Sequence, residues 1–262
     1  MVEVFRLSYD PVQRHLAIEK LVVREGPEGQ EKKYYRVRPA GWYGGIVTAD
    51  CVGCGLLCKF CWVSDKVMNR PAEVGKFYTP DEIAYGLVTL AKKRGLRQLR
   101  VSGGEPTIGK SHLLQLLDRL EREGCRFILE TNGILIAYGE SYAEELSKYD
   151  FVHVRVSLKG CSEEEFAMLT GAKPDGFTLQ LKALKSLMDA KVSCHPSVMA
   201  SFSPAKNLQA LTERLRQVDS GLAEELEVEE LILYPHVVRK VREHKLKYYK
   251  AYTPEGVPPE QV

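Results

Sequence analysis

The chain of 262 residues has no long uninterrupted apolar run, which leaves no candidate for a membrane-crossing helix. No signal-type apolar stretch lies near its start, so a cytoplasmic protein with no membrane partner is expected. It also lacks charge bias. Lys and Arg number 37 against 35 Asp and Glu, a formal charge of +2, and this neither demands nor excludes a nucleic-acid partner. There is no evenly spread, even-numbered set of cysteines: of seven, four fall within the eleven positions from Cys51 to Cys61. That crowding argues against a secreted disulfide framework and for a reducing compartment. Finally, no second C-x2-C or H-x3-H pair accompanies them, as a structural zinc site would require. A zinc loop or disulfides remain the rival readings of the crowded cysteines.

What is present is Cys51-Val-Gly-Cys54-Gly-Leu-Leu-Cys58-Lys-Phe60-Cys61-Trp62. Cys54, Cys58 and Cys61 form C-x3-C-x2-C, with an aromatic residue before the third cysteine. Three thiolates on so short a loop suit three irons of a [4Fe-4S] cube and leave the fourth iron open to a small chelating ligand.

Around this stretch the chain divides into an N-terminal β-rich arm (1–44), a repeating β/α region (45–237) and a basic C-terminal tail or helix (238–262). The arm reads as two or three strands, or an extended segment, from runs such as Val4-Phe5-Arg6-Leu7 and Leu21-Val22-Val23-Arg24 about the turn Glu25–Gly29. Lys32–Arg38 interleaves basic and aromatic residues and reads as a solvated edge strand, or else as a phosphate contact. Arg239–Lys250 has the same character and reads as a solvated helix, or as a segment that closes the barrel or binds RNA.

From residue 45, strands are expected over 45–49, 97–101, 126–131, 151–158, 191–199 and 228–233. Helices are expected opening at Thr79-Pro80-Asp81-Glu82 and over 110–123, 141–148, 177–189 and 204–218. Six β/α units point to an α/β fold with a parallel sheet. In such folds the loops that follow the strands carry the chemistry. The fourth strand puts His153, Arg155, Ser157 and Lys159 on one face and Val152, Val154, Val156 and Leu158 on the other. The apolar face should meet helices and the polar face should line a lumen. In the fifth strand His195 should point inward with Ser193 and Ser197, and Cys194 should pack outward. Cys125, before the third strand, reads as inert core. Cys51 and Cys161 end strands at the chemical face. Each is a catalytic thiol, a ligand of something extra, or a passive buried thiol.

With its aromatic before the third cysteine, the triplet resembles the radical S-adenosylmethionine (SAM) superfamily, and Gly103-Gly104-Glu105-Pro106 is similar to that superfamily's GGEP turn. The resemblance implies a partial (β/α)6 TIM-like barrel with an N-terminal β-rich extension, a [4Fe-4S] cluster on Cys54, Cys58 and Cys61, and SAM split into methionine and a 5'-deoxyadenosyl radical. It implies that Gly103, Gly104 and Glu105 receive the methionyl ammonium. Thr131 and Asn132 would serve the ribose, and Ser157 and Lys159 the carboxylate, the alternative for Lys159 being a surface lysine. Phe60 and Trp62 would pack near adenine. His195 belongs to the same inward set, and His236 either touches the adenosyl group or caps a strand end. An electron donor such as ferredoxin or flavodoxin is the implied partner. Leu169-Thr170-Gly171 and Leu233-Tyr234-Pro235-His236 further resemble segments of the glycyl-radical-enzyme (pyruvate formate-lyase) activating enzymes, although Tyr and Pro are exchanged and Trp62 departs from that branch. On that resemblance the expected activity is activation of a glycine in a partner protein. The alternatives are radical modification of a small molecule or RNA, or a non-catalytic iron–sulfur carrier.

Overall fold

The computed structural model describes residues 8–258; the run Val4–Leu7 of the expected arm lies outside them. The arm opens with a helix where strands or extended chain were expected: α1 spans Pro11–Val22. The Asp10 carboxylate accepts from the backbone N–H of Val12 and Gln13, Pro11 sits in the first turn, and Val12, His15, Ile18 and Val22 form the buried stripe. β1 (Val23–Gly26) and β2 (Gly29–Ala40) then form an antiparallel hairpin.

β3 (Ile46–Cys51) pairs antiparallel with β2 and begins the parallel sheet. A short α2 (Asp65–Asn69) and β4 (Lys76–Tyr78) follow, β4 pairing with β2. Next come α3 (Pro80–Arg94), β5 (Gln98–Gly103), α4 (Lys110–Leu120) and β6 (Arg126–Thr131). The Thr79 and Glu82 side chains cap α3 reciprocally and Gly95 closes it in the left-handed conformation. α5 (Ile134–Tyr138) and α6 (Tyr142–Leu146) lead to β7 (Val152–Leu158). α7 (Glu163–Thr170) and α8 (Asp175–Asp189) lead to β8 (Cys194–Met199), and α9 (Ala205–Val218) and α10 (Ser220–Glu224) lead to β9 (Glu227–Glu229). β10 (Leu231–Ile232), α11 (Pro235–Glu243) and β11 (Ala251–Tyr252) complete the described chain.

β3, β5, β6, β7, β8 and β9 are hydrogen-bonded in that order, every neighbouring pair parallel. This is the open, partial-barrel arrangement that six sequential β/α units produce. The sixth expected strand is divided: β9 joins the main sheet, whereas β10 pairs with β11. Val152, Val154, Val156 and Leu158 are at most 2 % exposed in the main apolar core, and α8 packs on β7 and β8. Their neighbours Arg155 and Ser157 are also buried but line a cavity, so the two faces of β7 divide as their period-two pattern indicates.

β2 is not a solvated edge. It pairs with β1 and β4 about Lys32 and with β3 from Tyr34 onward, and Lys32, Lys33 and Tyr34 are buried. The Lys33 ammonium donates to the carbonyls of Pro71 and Ala72, so neither lysine is presented to a phosphate backbone. The basic C-terminal run is likewise more than a solvated helix, since Val237, Lys240 and Val241 of α11 are buried.

Candidate active site

The cysteine loop leaves the carboxyl end of β3 and is fixed from four directions. From β2, the Lys33 carbonyl accepts from the Val52 N–H at 2.9 Å. From α7, the Leu169 carbonyl accepts from the Lys59 N–H at 2.9 Å. The Leu57 N–H donates to the Tyr9 hydroxyl, which donates to the Thr170 carbonyl, so the Leu169–Gly171 segment acts as a buttress. From α11, the Lys240 ammonium donates to the carbonyls of Cys61 and Val63, and His236 Nε2 donates to the Trp62 carbonyl at 2.6 Å. Gly55 is required by α1: a Cβ there would fall 2.1 Å from the His15 ring.

Cys54, Cys58 and Cys61 line one cavity of about 690 Å³. The Leu56 N–H donates to Cys54 Sγ and the Val63 N–H to Cys61 Sγ, both at 3.4 Å, and the Asn132 amide reaches Cys54 Sγ at 3.8 Å. Burial pushes the Cys58 thiol up to about 12, with Lys159 and Lys240 opposing it; Cys54 is also raised, by burial and by Glu105. Such thiols ionise on binding metal, whose charge replaces the proton. Among the described residues no three His, Cys, Asp or Glu side chains converge as one metal ion would need. A cube places each thiolate on a different iron. Three thiols on one cavity wall, with N–H donors at two of the sulfurs and two lysines alongside, fit that group.

The Gly-Gly-Glu-Pro turn at the end of β5 is built onto this loop. The Gly104 N–H donates to the Cys51 carbonyl at 2.9 Å and the Glu105 N–H to the Gly53 carbonyl at 2.6 Å. A Cβ at Gly104 would lie 2.2 Å from the Gly53 carbonyl oxygen, so the two segments touch backbone to backbone. Glu105, expected to meet an ammonium through its side chain, is only 2 % exposed. Its carboxylate accepts from the Thr107 N–H and hydroxyl, the Thr131 hydroxyl and the Asn132 N–H. It latches the turn to β6, so the side chain is already spent within the fold. Thr131 is committed to that latch, while the Asn132 amide also hydrogen-bonds His15 Nε2 at 3.0 Å.

The Lys159 ammonium lies 2.6 Å from Ser157 Oγ, and both line the cavity. Behind them is Gln180, a residue that no motif marks. It is fully buried on α8 and donates to the carbonyls of Asn132 and Ser157 while accepting from the Lys159 N–H.

The other candidate residues fall in different surroundings. Phe60 does not line the cavity. Its ring lies 5.2 Å from that of Phe202 in a separate apolar cluster; Trp62 lines the cavity instead. Cys51 and Cys161 are 0 % and 2 % exposed and lie outside the cavity. Burial raises both thiols, Cys161 to about 11. Cys125 is half-buried and Cys194 buried, with Cys194 Sγ 3.8 Å from Met188 Sδ. His195 faces inward but lies beyond the cavity wall, between Glu227 at 2.9 Å and His153 at 2.6 Å. His236 reaches the cavity rim with its ring stacked on Tyr234.

Sequence reasoning also missed the ring of charge around the lumen. Asp50 on β3 takes Arg36 and Arg38. Arg100 on β5 binds Glu130 on β6 at 2.6 Å, and Arg155 on β7 binds Glu227 and Glu229 on β9 at 2.7 and 2.8 Å. Glu130 also accepts from the hydroxyls of Tyr43 and Ser102. Burial pushes the Glu227 carboxyl up, but the hydrogen bonds from Arg155 and His195 outweigh it and hold it at about 2.

Parallel β/α units with a three-thiol loop at the carboxyl end of the first parallel strand define a cluster-binding barrel protein. The chain belongs to the Radical SAM superfamily, whose family model matches residues 50–201. With that membership come a [4Fe-4S] cluster and SAM as cofactors. A probable GTP 3',8-cyclase of Methanococcus vannielii is 34 % identical over 119 residues, 45 % of this chain and 37 % of the relative. One of Methanosarcina acetivorans is 31 % identical over 170 residues, 63 % and 47 %. This chain therefore spans less than half the length of those curated relatives, which are named as probable cyclases and not as glycyl-radical activating enzymes. Among solved structures, Streptococcus suis SuiB bound to S-adenosylmethionine matches with a TM-score of 0.59 at 20 % identity, over 76 % of this chain and 42 % of that one. TYW1 with a lysine-pyruvate adduct matches with 0.54 at 13 % identity, over 92 % and 90 %. At these identities the likeness is one of fold.

Proposed function

We propose that this chain is an enzyme that opens a C–H bond of a small molecule held in its lumen. One observation carries this reading: a single cavity joins the three thiols to a ring of charged side chains on the surrounding strands, and its size is that of a small-molecule site. When bound, the cluster and SAM supply the one-electron chemistry that opens the C–H bond. The rest is done by the chain. Cys54, Cys58 and Cys61 hold the cluster, and the backbone carbonyls of Gly103 and Gly104 receive an ammonium. Lys159, steadied by Ser157, meets a carboxylate. Glu105 keeps the turn in register with Thr131 and Asn132, while the lumenal strands hold the substrate and exclude water.

A small-molecule substrate, rather than a glycine of a partner protein, is supported by the names of the curated relatives. A one-electron donor such as ferredoxin or flavodoxin is the partner this reading requires, and the cytoplasm suits seven free thiols. Among the described residues no helix is long and apolar enough to cross a membrane.

The test is anaerobic reconstitution with iron and sulfide, then EPR of the reduced protein with and without SAM, then dithionite and an assay for 5'-deoxyadenosine. SAM should perturb the signal, and 5'-deoxyadenosine should form with the parent chain and not with Cys58→Ala. A cluster that forms but neither senses nor cleaves SAM would leave an electron carrier as the better account.

A further inference from the structure

The ring of charge around the lumen is satisfied along its middle and unbalanced at its two ends. Arg100 and Glu130 neutralise each other. On the β2–β3 side, two guanidiniums, Arg36 and Arg38, share one carboxylate, Asp50, which leaves one positive charge in excess. On the β9 side, two carboxylates, Glu227 and Glu229, share one guanidinium, Arg155; His195 also hydrogen-bonds Glu227, so the carboxylate charge in excess falls on Glu229. β3 and β9 are the first and last of the six parallel strands, so sheet curvature sets these ends across the same cavity, which all eight side chains of the ring line together. Beside the negative end, Glu230 spends Oε1 on Lys250 at 2.7 Å, while its buried Oε2 has no hydrogen-bond partner. A buried carboxylate oxygen of this kind calls for a donor.

Resting on the small-molecule reading above, we propose that the lumen binds a zwitterion, a free α-amino acid or a close derivative. Its carboxylate would lie against Arg36 and Arg38 and its ammonium against Glu229 and Glu230. A nucleoside triphosphate fits poorly. Its clustered negative charge needs several uncommitted cations, and all four arginines of this cavity already face carboxylates. The SAM methionyl group is also a zwitterion, but the Gly103–Gly104 carbonyls and Lys159 that would receive it stand on the cysteine side of the cavity. The lumen thus offers a second zwitterion site.

The test titrates the reconstituted, SAM-loaded enzyme by calorimetry with each common α-amino acid and with GTP. At least one amino acid should bind tightly enough to measure, and GTP should not compete with it. The best binder is then compared with its amide and its N-acetyl form, each of which should bind about tenfold or more weakly. Arg38→Gln should abolish the preference for acid over amide while keeping that for free over acetylated amine. Glu229→Gln should do the reverse, a crossed pattern that general loosening of the fold does not produce. The inference is overturned if no amino acid binds, if GTP binds in their place, or if both preferences survive both substitutions. An enzyme that still cleaves SAM in those cases keeps the broader reading and loses this one; an enzyme that does not cleave SAM loses both.

Discussion

At the scale of single residues, the least expected is Lys32. It is 1 % exposed, and its ammonium donates to the carbonyls of Glu105, Pro106 and Ile108 at 2.9, 2.9 and 2.7 Å. Burial pulls its pKa down, while Cys51, Glu105 and Glu19 oppose the fall. A lysine from outside the parallel sheet thus holds the main chain of the Gly-Gly-Glu-Pro turn. Lys32→Met would strand three buried carbonyls, at about 1–3 kcal/mol for each left without a donor. The expected outcome is a drop of several kcal/mol in urea unfolding and a KM for SAM raised about tenfold or more, since small displacements of a positioning segment are costly. Unchanged values of both would show the clamp to be idle. Gly104 is a second single-residue test. Gly104→Ala drives a methyl into the Gly53 carbonyl, so iron retained per chain after reconstitution should fall sharply, and full iron loading would contradict the backbone contact.

At the scale of elements, the regular β/α rhythm was legible because each unit carries its own signal. Thr79-Pro80-Asp81-Glu82 is a complete helix start, and β6 forms over the residues its β-rich run marks. α1 carried the same kind of start in Asp10-Pro11, with Val12, His15, Ile18 and Val22 at helical spacing. The adjoining β-rich run Leu21–Arg24 masked it. β2 misled for another reason: its adjoining Lys and Tyr pairs look solvated until the carbonyls that accept from Lys32 and Lys33 are in place, and those come from loops 38 or more residues away. Gln180 shows the same limit, a polar residue in an amphipathic helix whose partners are strand ends known only after packing. Gln180→Leu would orphan two carbonyls, of Asn132 and Ser157, and free Lys159 to move. A loss of about 2–4 kcal/mol is expected in chemical denaturation, together with a raised KM for SAM. A variant as stable as the parent would show that water replaces the amide.

At the scale of the whole molecule, the cysteine triplet, the Gly-Gly-Glu-Pro turn and the polar face of β7 could be read from local spacing, whereas the charge ring could not. Arg155 meets Glu227 and Glu229 across 72 or more positions, and only assembly of the sheet brings them together. Packing also buries imidazoles, and this shapes the protein's response to acid. His112 is fully buried on α4, hydrogen-bonded to the Gln30 carbonyl and the Tyr34 hydroxyl. Burial lowers its pKa from 6.5 to about 4, and the Gln30 carbonyl only partly opposes this. The unfolded chain therefore takes up a proton that the folded chain refuses. The stability from keeping this imidazole neutral is complete above about pH 6.5 and is lost as pH falls towards about 4. Comparing the parent with His112→Gln at two pH values isolates the effect, because the cluster and the other titrating groups are common to both chains. Going from about pH 7.5 to about pH 5, the parent's advantage over the variant should shrink by about 2 kcal/mol. An advantage that stays constant across that interval would mean that His112 titrates alike in the folded and unfolded chains, and that its burial carries no electrostatic cost.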